Sequence, residues 1–352
     1  MRLSRSSTRA AFPQETEGDH GRRLSALEVM IVCVSANPAI DRRICLQSLQ
    51  RGAVNRVRSA TAAGGGKAAH VSLALRALGA ESVLVGFFGG ATGSESEADL
   101  REKGLTVMPV RTSAATRVNL EIIEESGTVT ELLEPGGPIT PEEASSLVKV
   151  CNGLFNGGES AVLAISGSLP VGLPSDFYCQ LVVSAHEKSH VVLVDTSSVA
   201  LEQVLRVQPD LVKVNRSEAG AVVGRNLNDT PDTVWAARQL QAAGARSVAI
   251  SCGADGLLAL LHGETEPFAA RLAPITTHSA VGCGDATLAG FAAAYSRKLG
   301  TVDMLRLAVA CGAANCLASG PGRIDAEQVR AFVEGVQITS IDGSNGRPAA
   351  SL

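Results

Sequence analysis

Short, almost continuous apolar runs recur along the chain and alternate with stretches of helical periodicity. Met30–Ala36, Ala161–Ile165 and Val191–Val194 are such runs, and apolar segments of this length are typical of strands buried on both faces of a parallel sheet. Between the runs, residues such as those of 285–297 place apolar side chains at helical spacing. The alternation predicts an α/β protein with a doubly wound, mostly parallel sheet and helices on both faces.

Two segments interrupt this alternation of strands and helices. Residues 42–62 and 113–133 alternate apolar and polar side chains, and Glu125–Gly127 forms a turn signal within the second segment. Strands that bury only one face do not fit inside a parallel sheet that is covered on both faces. These segments therefore predict a small, separate β-sheet.

The residues that follow the apolar runs are polar. Asp41 follows the first run and Asn215 ends the run that starts at Leu211. The carboxyl ends of parallel strands meet at one edge of the sheet, where open α/β folds bind ligands. A carboxylate such as Asp41 can accept hydrogen bonds from two sugar hydroxyls there, although a turn-forming aspartate is the alternative.

Length and composition exclude several classes of protein. The 352 residues allow one large or two modest domains, and 31 basic against 35 acidic residues leave no basic excess for nucleic acid. Aromatic residues make up 3% of the chain, too few for base-stacking platforms, and no apolar run is long enough to span a membrane. None of the eight cysteines forms a CxxC pair, which indicates reduced thiols in a cytoplasmic protein.

The two ends of the chain differ from its centre. Residues 1–28 are rich in Ser, Arg and charge and have no apolar period, which predicts a disordered extension before a domain over 29–338 and a disordered tail over 339–352. The first 14 residues carry Arg and Ser without acidic residues, so a transit peptide is an alternative. A start at Met30, directly before the first strand, is another.

A glycine turn precedes the helix that starts at Asp285. Gly282, Cys283 and Gly284 expose unpaired backbone N–H groups, which together with the helix dipole favour an anion. Asp285 would lie beside that anion, where it can take a proton from a hydroxyl attacking a phosphoryl group while the N–H groups hold the developing charge. The alternative is that Asp285 only caps the helix.

Asn215 and Glu218 lie three residues apart at the start of a second helix, so both side chains face one way. An amide and a carboxylate can together order Mg²⁺ and its waters beside a phosphate. Alternatively, Asn215 caps the helix and Glu218 completes a near capping box.

These motifs resemble, in order and spacing, those of the ribokinase-like sugar kinases, the PfkB family, over about 30–336. The segments that carry the resemblance are NPAID at 37–41, GGGK at 64–67, SGSLP at 166–170, NRSE at 215–218 and GCGD at 282–285. The resemblance is strongest to the branch of 1-phosphofructokinase and tagatose-6-phosphate kinase. It implies a ribokinase-like domain over 29–338, in which the small sheet folds over the site as a lid and excludes water, and it implies a homodimer through that lid.

The resemblance further implies transfer of the γ-phosphoryl group of ATP, with Mg²⁺, to a hydroxyl of a sugar phosphate (fructose 1-phosphate, tagatose 6-phosphate or fructose 6-phosphate), with Asp285 as the base. The residues that it places at the sugar phosphate are Asp41, Gly65, Gly66, Lys67, His70, Arg117, Asn119 and Ser166. Those that it places at ATP are Lys213, Asn215, Ser251, Gly253, Gly256 and Asn315, with Glu218 and Asn215 at the metal.

Three residues depart from the family pattern. Cys283 stands where Ala or Ser is usual, Ala68 replaces a Gly, and His70 replaces an Asn that contacts the sugar in relatives. Because His70 and Ala68 lie where substrates are chosen, a kinase of an unphosphorylated sugar or nucleoside is an alternative. A non-catalytic sugar-phosphate sensor is another, although it would not need the base. A nicotinamide enzyme is a poor third, since no strand is followed by GxGxxG.

Overall fold

The fold is built on one large sheet, seen in a computed structural model that describes residues 29–157, 161–342 and 347–351. The predicted extension over residues 1–28 lies outside the described residues. The strands are β1 (Ile31–Ser35), β2 (Ala39–Leu46), β3 (Ser59–Gly65), β4 (Ser82–Gly89), β5 (Thr106–Thr112), β6 (Arg117–Glu124), β7 (Val129–Leu133), β8 (Val162–Ser166), β9 (Val191–Asp195), β10 (Leu211–Asn215), β11 (Ser247–Ser251), β12 (Leu257–Leu260), β13 (Phe268–Arg271), β14 (Gln337–Asp342) and β15 (Arg347–Ser351).

The helices connect and cover these strands. They are α1 (Lys67–Ala77), α2 (Gly90–Glu102), α3 (Pro141–Phe155), α4 (Phe177–Glu187), α5 (Ser198–Leu205), α6 (Arg216–Val223), α7 (Thr230–Ala242), α8 (Cys283–Ser296), α9 (Thr301–Leu317) and α10 (Ala326–Gly335), with a short 3-10 helix over Gly253–Asp255. Among the described residues, no helix is both long and apolar enough to cross a membrane.

In the described part of the chain, the large sheet has eleven strands in the order β15-β14-β13-β12-β11-β10-β9-β8-β1-β4-β5. The strands from β11 to β5 in this order pair in parallel, whereas β12 to β15 add an antiparallel edge. The doubly wound, mostly parallel sheet predicted from the apolar runs is therefore confirmed.

Successive residues of the parallel strands enter two different cores. Ile31 and Cys33 of β1 pack in one core with α1, α8 and α9, and Val32 and Val34 pack in the other with α3 and α4. All four side chains are fully buried, because successive side chains of a strand point to opposite faces and both faces are covered here. This two-sided burial explains why the strand reads as a continuous apolar run.

A second sheet, called the lid below, has the strand order β3-β2-β6-β7. β2 and β6 pair in parallel, and β3 and β7 pair antiparallel to them. The separate sheet predicted from the alternating segments is confirmed, although β2 starts at Ala39 and β3 ends at Gly65, outside the predicted 42–62. Val54, Leu132 and Leu133 of the lid region are more than half exposed. The homodimer through the lid stays a prediction.

Strand β14 occupies residues where the sequence predicted the start of a disordered tail. β14 pairs antiparallel with β13 and buries Ile338 and Ile341, so the tail predicted to begin at residue 339 is corrected. The two isoleucines stand among polar residues, and their burial depends on the edge that β13 offers, which local composition does not reveal. Residues 343–346 and 352 lie outside the described residues.

Helices α8 and α9 pack closely through small residues. A Cβ atom added to Gly290 of α8 would lie 2.6 Å from the Cα atom of Ala308 in α9 and 2.9 Å from the carbonyl oxygen of Leu307. These are backbone atoms, which cannot move aside as a side chain would. The close approach fixes α8, and with it the glycine turn at its start.

Gly290→Ala should therefore destabilise the protein by about 1–3 kcal/mol, because the added methyl group overpacks the α8–α9 contact. Gly153→Ala is the matched control, since Gly153 lies in helix α3 and an added Cβ meets nothing within 4 Å there; this change should stabilise by about 0.5–1 kcal/mol. Urea denaturation measures both free energies of unfolding. Equal effects at the two positions would contradict the close packing.

Candidate active site

A cavity of about 1430 Å³ lies between the lid and the carboxyl edge of the main sheet. The lid contributes Asp41, Arg117 and Asn119 to its lining, and the main domain contributes Lys213 and Asp285. Sites for one small molecule usually measure about 300–1,000 Å³. The cavity therefore has room for two substrates side by side.

Most of the residues predicted for the site are brought together here. Those that line the cavity are Asp41, Gly66, Lys67, His70, Arg117, Asn119, Lys213, Asn215, Glu218, Ser251, Gly253, Gly256, Gly282, Cys283, Gly284 and Asp285. They come from segments far apart in the chain, which the α/β topology gathers at one edge as expected.

Three predicted residues do not line the cavity. A side chain on Gly65 would collide with the carboxylate of Asp41, so this glycine allows the carboxylate to lie against the backbone. Ser166 ends β8 and is 2% exposed; its hydroxyl has no hydrogen-bond partner among the described residues. Asn315 lies behind the glycine turn, where its side chain donates to the carbonyl oxygen of Val281 at 2.8 Å and accepts from the N–H of Gly322 at 2.8 Å.

The glycine turn opens directly into α8. Gly282 is the N-cap residue, with φ of 80° in the left-handed region that glycine tolerates, and no side chain caps the helix. Asp285 therefore does not act as the cap, and it lies in the first turn instead. The N–H groups of Gly284 and Asp285 belong to that turn, where helix geometry offers no carbonyl partner. Unpaired N–H groups at the start of a helix are a common binding site for an anion.

Lys213 adds positive charge to this turn. A side chain on Gly284 would collide with the ammonium nitrogen of Lys213, so the glycine lets the lysine approach the start of α8. Lys213 is 3% exposed and bonds to Asp195 at 2.7 Å. Lys67 bonds to the other oxygen of Asp195 at 2.8 Å.

Asp195 was not predicted as a site residue. It ends β9, is fully buried and lies between two lysines. Burial acts to raise its pKa, but the charges of Lys213 and Lys67 outweigh this effect and lower the pKa of Asp195 to about 2. Its position at the end of a buried apolar run was the available signal, because Asn215, which ends the next strand, was singled out on that ground.

His70 joins the lid to the glycine turn. Its Nδ1 atom lies 2.9 Å from Oδ2 of Asp285, and its Nε2 atom lies 2.9 Å from Oδ2 of Asp41. Burial acts to lower the pKa of His70, but the hydrogen bonds and charges of the two carboxylates raise it to about 10. His70 was predicted to contact the sugar, whereas both of its ring nitrogens are engaged by carboxylates here.

Asp41 is held from three sides. Its Oδ1 atom accepts a hydrogen bond from the amide of Asn119 at 2.8 Å, and Oδ2 accepts from the N–H of Gly66 at 3.3 Å in addition to its contact with His70. Burial acts to raise the pKa of Asp41, but His70 and then Asn119 and Gly66 hold it below its usual value. Asp41 is therefore an ionised acceptor that faces the cavity.

Arg117 lies at the start of β6, on the edge of the cavity. Its guanidinium donates to the carbonyl oxygens of Glu134 at 2.8 Å and Asn37 at 3.3 Å. Within the described residues no carboxylate lies within ion-pair distance of it. Burial lowers the pKa of Arg117, which marks a cation that has lost part of its hydration. Such a guanidinium is ready to receive an anion.

Asn215 and Glu218 form a complete capping box at the start of α6. The side chain of Asn215 accepts from the N–H of Glu218 at 2.8 Å, and Oε2 of Glu218 accepts from the N–H of Asn215 at 2.9 Å. The other carboxylate oxygen, Oε1, lies 3.7 Å from the ammonium of Lys67. No group of three or more potential metal ligands occurs among the described residues. A single carboxylate can still contribute to binding Mg²⁺, which usually keeps several waters and takes few protein ligands.

The side chain of Cys283 points toward Cys316 and Asn315. Its sulfur lies 2.9 Å from that of Cys316 and 3.4 Å from the amide nitrogen of Asn315. The departure from Ala or Ser therefore leaves the backbone N–H groups of Gly284 and Asp285 unobstructed by this side chain. No disulfide links the eight cysteines, all of which lie in the described part of the chain.

The fold and the site together define a phosphotransferase that uses an alcohol group as acceptor. The chain belongs to the pfkB family of carbohydrate kinases, whose model, described as "pfkB family carbohydrate kinase", matches residues 30–328. The family inferred from the motifs is thereby confirmed, and so is the ribokinase-like fold class.

Relatives and solved structures agree with this assignment. A protein of Xanthomonas campestris pv. campestris named 1-phosphofructokinase is 33% identical over 321 residues, which cover 90% of this chain and 100% of the relative. A D-tagatose-1-phosphate kinase of Klebsiella oxytoca is 30% identical over 314 residues, 89% and 100% of the two chains. Phosphofructokinase-2 from Escherichia coli, solved in complex with fructose-6-phosphate, matches with a TM-score of 0.80 and 26% identity over 87% of this chain and 98% of its own.

Asp195→Asn should destabilise the protein by about 3–5 kcal/mol at neutral pH, because it leaves the buried ammonium of Lys213 without its counter-charge. Asp255→Asn is the control, since Asp255 is 59% exposed and bonds to Arg216 at 2.8 Å; this change should cost about 0–1 kcal/mol. Denaturant titration at pH 7 measures both. A loss at Asp195 no larger than that at Asp255 would contradict the buried pairing.

Proposed function

We propose that the protein transfers the γ-phosphoryl group of ATP to a free hydroxyl of a sugar phosphate, with Asp285 as the general base. The observation that carries the proposal is the position of Asp285. Its carboxylate lies in the first turn of α8, beside the unpaired N–H groups, and lines a cavity with room for both substrates. Phosphoryl transfer to a hydroxyl requires a base next to groups that bind the transferred phosphoryl group, and this arrangement would provide both.

In this mechanism Asp285 accepts the proton of the attacking hydroxyl. A bond forms between the hydroxyl oxygen and the γ-phosphorus as the bond from that phosphorus to the bridging oxygen of ADP breaks. The N–H groups of Gly284 and Asp285 and the ammonium of Lys213 stabilise the charge on the moving phosphoryl group. Each such donor is worth about 3 kcal/mol of the barrier.

The sugar phosphate would bind on the lid side of the cavity. Asp41 presents an ionised carboxylate that accepts from sugar hydroxyls, with Gly66 and Asn119 holding it in place. Arg117 is a partly desolvated guanidinium with no carboxylate partner among the described residues, and it would bind the phosphate that the sugar already carries. The names of the relatives, 1-phosphofructokinase and D-tagatose-1-phosphate kinase, support a phosphorylated sugar.

ATP would bind on the side of the main sheet that Ser251, Gly253 and Gly256 line. Glu218 and Asn215 would hold Mg²⁺, which supplies charge neutralisation of the triphosphate when it is bound. Lys67 lies between this region and the sugar side. Burial acts to lower its pKa, but Asp195, Asp285 and Glu218 raise the pKa above its usual value, so Lys67 remains a cation that can contact phosphate.

A panel of acceptors tests the proposal through ADP release from Mg-ATP. Fructose 1-phosphate, tagatose 1-phosphate, tagatose 6-phosphate or fructose 6-phosphate should be turned over with a kcat/KM at least about 100-fold above that of fructose, ribose or adenosine, since two charge-assisted hydrogen bonds to phosphate are lost without it. Turnover of an unphosphorylated compound alone would contradict the substrate class. Binding of a sugar phosphate without ADP release would favour a sensor.

Arg117→Gln should raise the KM for the sugar phosphate by about 10–100-fold and leave the KM for ATP unchanged, because the guanidinium lies on the lid side of the cavity. The matched control is Arg42→Gln, since Arg42 lies on β2 of the lid and is exposed; it should leave both constants unchanged. Steady-state kinetics with each substrate varied in turn measure the effect. If the two variants had the same KM for the sugar phosphate, the proposed phosphate-binding role of Arg117 would be contradicted.

A further inference from the structure

His70 lies where three elements of the fold meet. It belongs to the first turn of α1, and its imidazole touches Asp41 on β2 of the lid and Asp285 on α8. The backbone of Gly322 closes over the backbone of His70 from a fourth direction. The side chain of His70 is 11% exposed and that of Asp285 is 8% exposed, so water competes little for these contacts.

The two contacts of His70, called the bridge below, indicate that its ring is charged. An ionised carboxylate only accepts hydrogen bonds, and a neutral imidazole has one N–H donor and one bare nitrogen. Two carboxylates therefore cannot both be hydrogen-bonded by a neutral His70. Both contacts at 2.9 Å are satisfied when the ring carries two N–H groups, which is the imidazolium form.

The charges around His70 favour this form. Asp41 and Asp285 contact the ring directly, and Glu131 of β7 lies near enough to interact with its charge. Cations in the surroundings include Lys67 on the same helix and Lys213 of β10, near the start of α8, and both bond to Asp195. Arg117 on β6 interacts with Asp41. Within the described part of the chain, the ring nitrogens contact the two carboxylates and none of these cations.

We propose that His70 is a positioning residue that, as an imidazolium, fixes the base Asp285 and the sugar-binding Asp41 into one rigid unit. The roles of the two carboxylates rest on the proposed function, whereas the protonated bridge itself does not. His70 engages Oδ2 of Asp285, which leaves Oδ1 to take the proton of the sugar hydroxyl. A placement error of about 1 Å in such a group can cost about 100-fold in rate.

The bridge makes the unit sensitive to alkaline pH. The pKa of His70 is raised to about 10, so the imidazolium persists at neutral pH, and one of its two hydrogen bonds is lost as the pH rises through this value. The unfolded chain has an ordinary histidine with a pKa of about 6.5. The stability that the bridge contributes is therefore complete below about pH 6.5 and lost as the pH rises through about 10.

Nuclear magnetic resonance tests the protonated bridge without any substrate. Long-range proton–nitrogen spectra of nitrogen-15-labelled protein should show one of the six histidines with both ring nitrogens protonated at pH 8.5, a value roughly two units above the ordinary pKa. That signal should be absent from His70→Asn, or from His70→Gln if the first variant does not fold. Ordinary titration of every histidine in the wild type would overturn the inference, and this result does not depend on the reaction catalysed.

The pH dependence of kcat tests the positioning role. His70→Asn replaces the bridge with a group that does not titrate, so kcat at pH 7.5 should fall by about 10–100-fold and the KM for ATP should stay unchanged. The wild type should lose activity as the pH rises toward the pKa of His70, about 10, and this alkaline loss should be absent from the variant. His186→Asn is the matched control, since His186 bonds to Asp210 at 3.0 Å away from the cavity, and it should keep the wild-type profile. The same alkaline loss in His70→Asn and wild type would overturn the positioning role.

Discussion

Carboxylates that are buried at one edge of a sheet need counter-charges, and this need organises the whole site. Asp195 is fully buried and Asp285 is 6% exposed, and an unpaired charge in such a place would cost several kcal/mol. Lys67 and Lys213 both pair with Asp195, and His70 contacts both Asp285 and Asp41. These pairs tie β9, α1, α8 and the lid to one another, so the geometry of the cavity follows from them.

The same pairing explains why small residues surround the site. Gly65 lets Asp41 lie against the backbone, and Gly284 lets Lys213 approach the start of α8. Gly290 lets α9 pack against α8 and hold the turn in place. The chain therefore brings charged groups together at the cavity by placing glycines next to them. Lys67 and Lys213, which pair with Asp195, are also the cations that would contact the phosphates of ATP.

Much of the fold could be predicted from the sequence because its cause is local. Continuous apolar runs predicted the parallel strands, alternation predicted the lid, and GCGD at 282–285 predicted the glycine turn that precedes α8. The ion pairs of the site could not be predicted, because they depend on which side chains meet across the cavity. Asp195 lies between two lysines, and His70 lies between two carboxylates. Likewise, β14 forms by pairing with the free edge of β13. The sequence of residues 337–342 alone does not predict that pairing.

The central claim is that Asp285 is the base, and single-turnover measurement of ADP formation in Asp285→Asn tests it most directly. We expect this variant to fold and to bind both substrates with affinities close to those of the wild type, while the rate of phosphoryl transfer falls by about 10²–10⁴-fold. Asp303→Asn, which changes an aspartate that is 67% exposed on α9, should react at the wild-type rate. A transfer rate in Asp285→Asn equal to that of the wild type would contradict the account.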